Sequence, residues 1–311
     1  GNLTTASGTS STAMGKSTEA SGDESTAIGR DTLASGFGST AMGSNTEAIG
    51  SRSTAMGYDT TASAEFSTAM GKSTTASGNQ STAMGESTDA SGTASTAIGK
   101  STTASGAYST AMGNGTTASE SNSTAMGANS TASGTVSTAM GNATAASGFA
   151  STAMGYQTDA SGSNSTAIGR DTLANGNYST AMGRDTESSG DNSTAMGSNT
   201  LASGFGSTAI GQHNVLNSGD AATSFNLTNT ALSIGNGTSS AARSDAFSVL
   251  FNGNTTAAGS ITSASLNIAA LNTAPASASA TGTIGEIKFT ADHIYVCVDD
   301  NTWRRVAIAT F

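Results

Sequence analysis

Every Met of the chain sits at one position of a fourteen-residue period. The pentapeptide Ser-Thr-Ala-(Met/Ile)-Gly begins at Ser11 and returns at Ser25, Ser39, Ser53 and onward to Ser207, fifteen copies without insertion or deletion. Its fourth position is held by Met14, Ile28, Met42, Met56, Met70, Met84, Ile98, Met112, Met126, Met140, Met154, Ile168, Met182, Met196 and Ile210. A second half-motif lies between copies, mostly Thr-x-Ala-Ser-Gly, as in Thr18-Glu19-Ala20-Ser21-Gly22, with two variable linking residues on each side. Each unit therefore reads as strand, turn, strand, turn. Fourteen residues are too few for a helix pair or a four-stranded blade but fit one coil of a β-solenoid. Coils stacked at about 4.8 Å would make the fifteen of them a rod on the order of 70 Å long.

Strand alternation sends Ser11, Ala13 and Gly15 to one face and Thr12 and Met14 to the other. Thr18, Ala20 and Gly22 likewise share a face opposite Glu19 and Ser21. A two-stranded roll this thin has room only for small side chains, so Ala13, Ala20 and their equivalents must face each other inside. The Glu19 position, which becomes Leu33, Glu47, Asp89 and Leu173 in other coils, faces water. The Met/Ile stripe then lies outside the core. It is larger than the apolar patch a monomer leaves uncovered, which predicts an oligomer axis. Dimers and trimers both satisfy that requirement. The alternative is the opposite facing, with Met and Ile filling the roll.

Composition taken alone gives a different answer. Leu, Ile, Val and Phe number 37 of 311 residues and charged residues make up 10%, too little for an ordinary globular core. Strict periodicity overrides that expectation, because disorder keeps no register. One Cys and two His exclude a disulfide framework and leave little for a zinc site, so no cofactor or metal is expected. A net charge of −10 disfavours a nucleic-acid partner. No run approaches 18 apolar residues, so direct membrane insertion is not expected. Gly1 aligns with the glycine that closes the pentapeptide, so the chain starts in mid-repeat and sequence upstream of it is expected.

The repeat Ser-x-Ala-(Ile/Met)-Gly-x-x-(Thr/Ala)-x-Ala-x-Gly-x-x resembles the head repeat of YadA-like trimeric adhesins, from Gly1 to about Gly211. That resemblance implies an all-β fold, a left-handed parallel β-roll assembled as a homotrimeric fibre. It also implies attachment to surfaces and supplies no catalytic residues. Where that family usually has Val this chain has Thr12, Thr26 and Thr40, so less apolar packing is expected beside the Met column.

Beyond residue 211 the character changes, with 23 of the 37 Leu, Ile, Val and Phe in the last 101 residues. Residues 212–257 read as a β neck, in which the runs Leu232–Thr238 and Arg243–Gly253 look like a short β element of fibre-like surface and viral proteins. Residues 258–283, rich in Ser, Ala and Thr and holding the only Pro, Pro275, read as a linker or intertwined segment. Residues 284–311 predict a small β-meander: strands at 285–289, 293–298 and 302–308, with Asp299-Asp300-Asn301 as a turn. Its Gly285-Glu286-Ile287, Tyr295-Val296-Cys297-Val298 and Asn301-Thr302-Trp303-Arg304-Arg305-Val306 runs resemble the domain that closes many phage tail-fibre proteins. A domain this small suits a trimeric cap, which would also cover the open strand edge of the last coil.

No nucleophile, base and orienting group converge, so no enzyme is expected, and His213 and His293 read as structural or surface residues. Cys297 reads as a buried thiol. Exposed aromatics in the linking positions are the candidates for recognition: Tyr58, Tyr108, Tyr156 and Tyr178, with Phe66, Phe149 and Phe205, and Trp303 in the terminal segment. They suit stacking on sugars, and equally covering a neighbouring chain. The leading functional expectation is a homotrimeric virion fibre, such as a phage tail fibre, that binds a host cell-surface receptor, glycans among the candidates. The alternative is the passenger head of a bacterial trimeric autotransporter, against which stands the lack of an anchor before Phe311. A third is an ice-binding solenoid built on the Thr12 ladder, disfavoured because Met or Ile adjoins each Thr.

Overall fold

A computed structural model of the chain describes residues 1–217, 219–262 and 271–308. Residues 263–270 of the expected linker and 309–311 of the expected cap lie outside them. Among the described residues every regular element longer than a turn is a β-strand, and no helix is long and apolar enough to cross a membrane. The chain divides into two compact units, Gly1–Gly259 and Ser260–Phe311.

In the first unit each coil contributes a five-residue strand such as Thr96–Lys100 and a two-residue strand such as Thr103–Ala104. Across the first four coils the two join into nine-residue strands, Thr12–Ala20, Thr26–Ala34, Thr40–Ala48 and Thr54–Ala62. Every strand pairs in parallel with its equivalent one coil on: Thr96 with Thr110, Ile98 with Met112, Gly99 with Gly113. The corners turn through residues in the left-handed region, Ser101 (φ 52°) after the first strand and Tyr108 (φ 58°) after the second. Backbone bonds continue around them, Ser101 N–H to the Glu86 carbonyl at 2.9 Å and Tyr108 N–H to the Thr93 carbonyl at 2.8 Å. These coil-to-coil bonds carry the ladder through both corners, which is why the stack can be continuous.

The core consists of stacked small side chains. In one coil Ser95, Ala97, Thr102 and Ala104 point inward and are wholly buried, and the pattern repeats along the unit. Some inward hydroxyls return to the corner backbone, as where Ser67 Oγ donates to the Ala64 carbonyl at 2.7 Å and Ser123 Oγ to that of Glu120 at 2.6 Å. Met and Ile of the pentapeptide lie on the opposite side of the strand, half-buried or exposed. The facing with alanine inside therefore holds, and the alternative in which Met fills the roll does not.

The last coil is closed by the chain that follows it. Thr230–Asn236 lies parallel against Thr208–Gln212, pairing Ile210 with Ile234 and Gly211 with Gly235. Asp245–Leu250 and Thr255–Ala257 then add antiparallel strands. Beside the short strand a side chain imitates a backbone: Asn214 accepts from Leu201 N–H at 2.8 Å and donates to the Leu201 carbonyl at 2.9 Å. Asn229, fully buried, does the same for Ala221 at 2.9 and 2.8 Å. The terminal meander had been expected to cover this edge. That expectation is corrected: the neck pairs it, within the first unit.

The second unit is a three-stranded antiparallel sheet, Ile287–Phe289, His293–Asp299 and Thr302–Ala307. Cys297 faces Trp303 across the strands, and both are buried. Residues 278–280, expected in a linker, instead strap this core: Trp303 N–H donates to the Ala278 carbonyl at 2.8 Å and its indole Nε1–H to that of Ala280 at 3.0 Å.

Candidate oligomerisation and recognition site

The solenoid presents two sheet faces and two rows of corners, and their chemistry differs. On the face of the longer strands, the first and third residues are Thr and Met or Ile in all fifteen coils, whereas the fifth, at the corner end, varies and is charged at Lys16, Arg30, Lys72, Glu86, Lys100, Arg170 and Arg184. Parallel register stacks the large residues directly, Ile98 on Met112, Met112 on Met126, Met126 on Met140. Met14 is 54% exposed, and the threonines beside the column, Thr26 and Thr40 among them, are half-buried. Burying the Thr and Met/Ile columns themselves would gain apolar area without desolvating an ion, as long as the exposed strand-end bases Lys72 and Lys100 stay at the solvated corner.

The opposite face is built differently. Its outward position carries Glu19, Glu47, Asp89, Asp159 and Glu187 and no base. Two copies meeting there would bring like charges together. Asp89 lies between Thr75 and Thr103, and Asp159 between Ala145 and Leu173, so neither has a cation in its own column. One oxygen of each carboxyl, Oδ1, is buried without a hydrogen-bond partner. Burial pushes both carboxyls above the ordinary value of 3.8. The sequence placed this column in water, and at these two coils it is half-buried instead.

A stability consequence follows from the direction of that shift. A carboxyl whose folded pKa is raised binds its proton more tightly in the fold, so the fold gains stability as pH falls through the raised value towards 3.8 and is penalised above it. The double variant Asp89→Asn/Asp159→Asn is expected to melt higher than the parent at pH 7, with the difference closing below 3.8. Thermal denaturation at both pH values checks this; a lower melting point for the variant at pH 7 contradicts it.

The corners carry the aromatics. Tyr58 and Tyr156 stand at the end of the longer strands. Phe66, Tyr108 and Tyr178 occupy the left-handed corner residue on the other side (φ 57°, 58° and 57°), and Phe37, Phe149 and Phe205 the position before it. All but Phe205, which is half-buried, are exposed. Six of the eight rod aromatics thus share one row of corners. Six of the seven Lys and Arg up to residue 211 lie on the opposite row; Arg52 is the exception. Its guanidinium carbon sits over Phe37 at 5.3 Å and over Phe66 at 5.4 Å from the ring centroids. Sequence reasoning missed Phe37 and Arg52 because both stand in variable positions of different coils.

Trp303 does not belong among the recognition residues. It is 5% exposed, with its indole N–H consumed internally and Lys288 Nζ 4.8 Å from its ring. That assignment is corrected: the indole is the core of its small sheet. His213 turns the last corner (φ 45°), its N–H donating to the Ser198 carbonyl at 3.0 Å, and His293 packs on Tyr295 at 5.7 Å between ring centroids. Asp300 accepts from Ile284 N–H and Asn301 from Gly282 N–H, both at 3.1 Å, which are turn-forming roles.

Among families, the model of the YadA head domain repeat, two copies long, matches residues 6–32, 34–60, 48–74, 62–87, 90–116, 118–144, 146–172 and 174–200, more than half of the chain. No curated protein matches it.

Proposed function

The chain belongs to the YadA head domain repeat family, and on that premise we propose that it is the head of a homotrimeric, autotransporter-like adhesin displayed on an extracellular surface. The carrying observation is the pair of uncharged Thr and Met/Ile columns, continuous over fifteen coils. Three such faces around one axis leave the acidic faces outward and cover the apolar stripe. The work of such a head is mechanical and multivalent: three copies of every corner are held in fixed register, so modest individual contacts add up to avidity. Tyr58, Tyr108, Tyr156 and Tyr178 are the exposed residues we assign to contact with a host surface. We assign no catalytic role to His213 or His293, and the terminal sheet serves to hold three chains together. This ordering reverses the sequence-based preference, because the family match supports the adhesin head while the likeness to tail-fibre domains rests on the terminal segment's residues alone.

A virion fibre is the second reading, favoured by the separate Trp303-centred unit at the end of the chain. Beads coated with the assembled chain are expected to adhere to animal epithelial cells and not to bacteria, and a dissociated variant to lose that adhesion by about a hundredfold or more. Adhesion to bacterial cells instead would select the fibre reading. Equal adhesion by the dissociated variant would remove multivalency from the account.

A further inference from the structure

Arg52 shows what the aromatic corners can hold. It comes from the coil between those of Phe37 and Phe66, and Glu65 completes the setting with Oε1 4.0 Å from Arg52 Nη1. The arrangement is a product of the repeat: a ring, a cation 15 residues on, a second ring 29 residues on. The same offsets from Phe149 give Asn164 and Tyr178. The backbone repeats as well, with Asn164 at φ 56° where Arg52 is at 55°, and Tyr178 at 57° where Phe66 is at 57°. Here the middle residue is short and neutral, and the flanking rings are more exposed, 55% for Phe149 and 63% for Tyr178 against 43% for Phe37 and 46% for Phe66. An anion stands one coil further along the same row: Asp191, whose Oδ1 accepts from Asn177 N–H at 2.8 Å. The nearby bases Arg170 and Arg184 are on the opposite row.

Tyr178 adds an energetic argument. A bulky residue in the left-handed region costs roughly 1 kcal/mol that Asn or Gly would not. The left-handed corner is held from within, the Tyr178 N–H donating to the Ser163 carbonyl at 2.8 Å, while the ring is 63% exposed and so remains available to a partner.

We propose that Phe149, Asn164 and Tyr178 form a receptor for an arginine side chain of a partner protein, held between the two rings as Arg52 is held between Phe37 and Phe66. A guanidinium suits the slot better than an ammonium because it is planar, weakly hydrated and stacks on ring faces. The acidic character of the chain, net −10, complements a basic partner. The inference deepens the adhesin reading. Its test uses a soluble peptide rather than cells, so the two can fail separately.

The probe is a fluorescein-labelled peptide of six Gly-Arg repeats, titrated against the full chain and followed by anisotropy. Asn164→Arg is expected to weaken binding about tenfold by filling the slot from within; the parent's own Arg52 shows that the coil accepts arginine there. Asn114→Arg, which adds the same charge on the opposite row, is expected to change affinity less than about twofold, and a Gly-Lys peptide of equal charge to bind the parent more weakly than Gly-Arg. Equal losses for Asn164→Arg and Asn114→Arg would overturn the proposal. So would equal binding of the two peptides, or an Asn164→Arg effect confined to a neutral oligosaccharide.

Discussion

Replacing Met84, Met112 and Met126 together by Asp is expected to dissociate the assembly into single chains. The three residues stand in one column, with Ile98 between Met84 and Met112 and Met126 next in line. In a trimer closed on this face nine carboxylates would gather at the axis. The Thr and Met/Ile columns hold no Lys or Arg, and the strand-end bases nearest to Met84, Lys72 and Lys100, already pair with Glu86 at 3.6 and 3.7 Å. An uncompensated buried charge costs on the order of 3–5 kcal/mol, and the roughly 1.5–3 kcal/mol gained by burying each Met is lost as well. Within one chain the same side chains point outward and leave the Ala column untouched, so β-structure is expected to persist by circular dichroism while the sedimenting mass falls. Charge-neutral Met→Gln substitution at the same sites should weaken assembly less. An intact assembly in the Asp variant would place the interface on another face.

The second large effect concerns a single hydrogen atom. Gly99 has φ 129°, outside the range that L side chains normally adopt, and a Cβ there would stand 2.0 Å from the Gly113 carbonyl oxygen of the next coil. Relief requires moving backbone, and that backbone is hydrogen-bonded onward through every following coil. Gly99→Ala is therefore expected to cost at least about 3 kcal/mol, combining conformational strain with local loss of stacking. In a solenoid, contacts run only between neighbours, so the damage should stay local. Limited proteolysis is expected to nick the variant near the corner at Ser101 while the parent resists. An unchanged melting point and cleavage pattern would show that coil stacking tolerates a methyl there.

Much of this architecture was legible because the repeat leaves little freedom. Once coils of two short strands are inferred, the parity of Ser11, Ala13, Thr18 and Ala20 decides the core, and Met14 must lie outside it. Three features escaped for physical reasons. Asn214 closes a sheet edge with its side-chain amide, and an Asn in a loop looks the same in sequence whether it turns the chain or imitates a strand. Trp303 looked like a recognition residue in isolation; its pairing with Cys297, and the strap at Ala278 and Ala280, mark it as core only when three segments are brought together. Arg52 belongs to an aromatic slot assembled from three coils, a relation of 15 and 29 residues that becomes visible once corners, rather than strands, are compared.

The oligomeric mass of the unaltered chain tests the central claim most directly. Sedimentation equilibrium at physiological ionic strength is predicted to return three times the 30.1 kDa of one chain, independent of loading concentration. A stable species of 30.1 kDa would contradict it, because the Thr and Met/Ile face would then be a free surface.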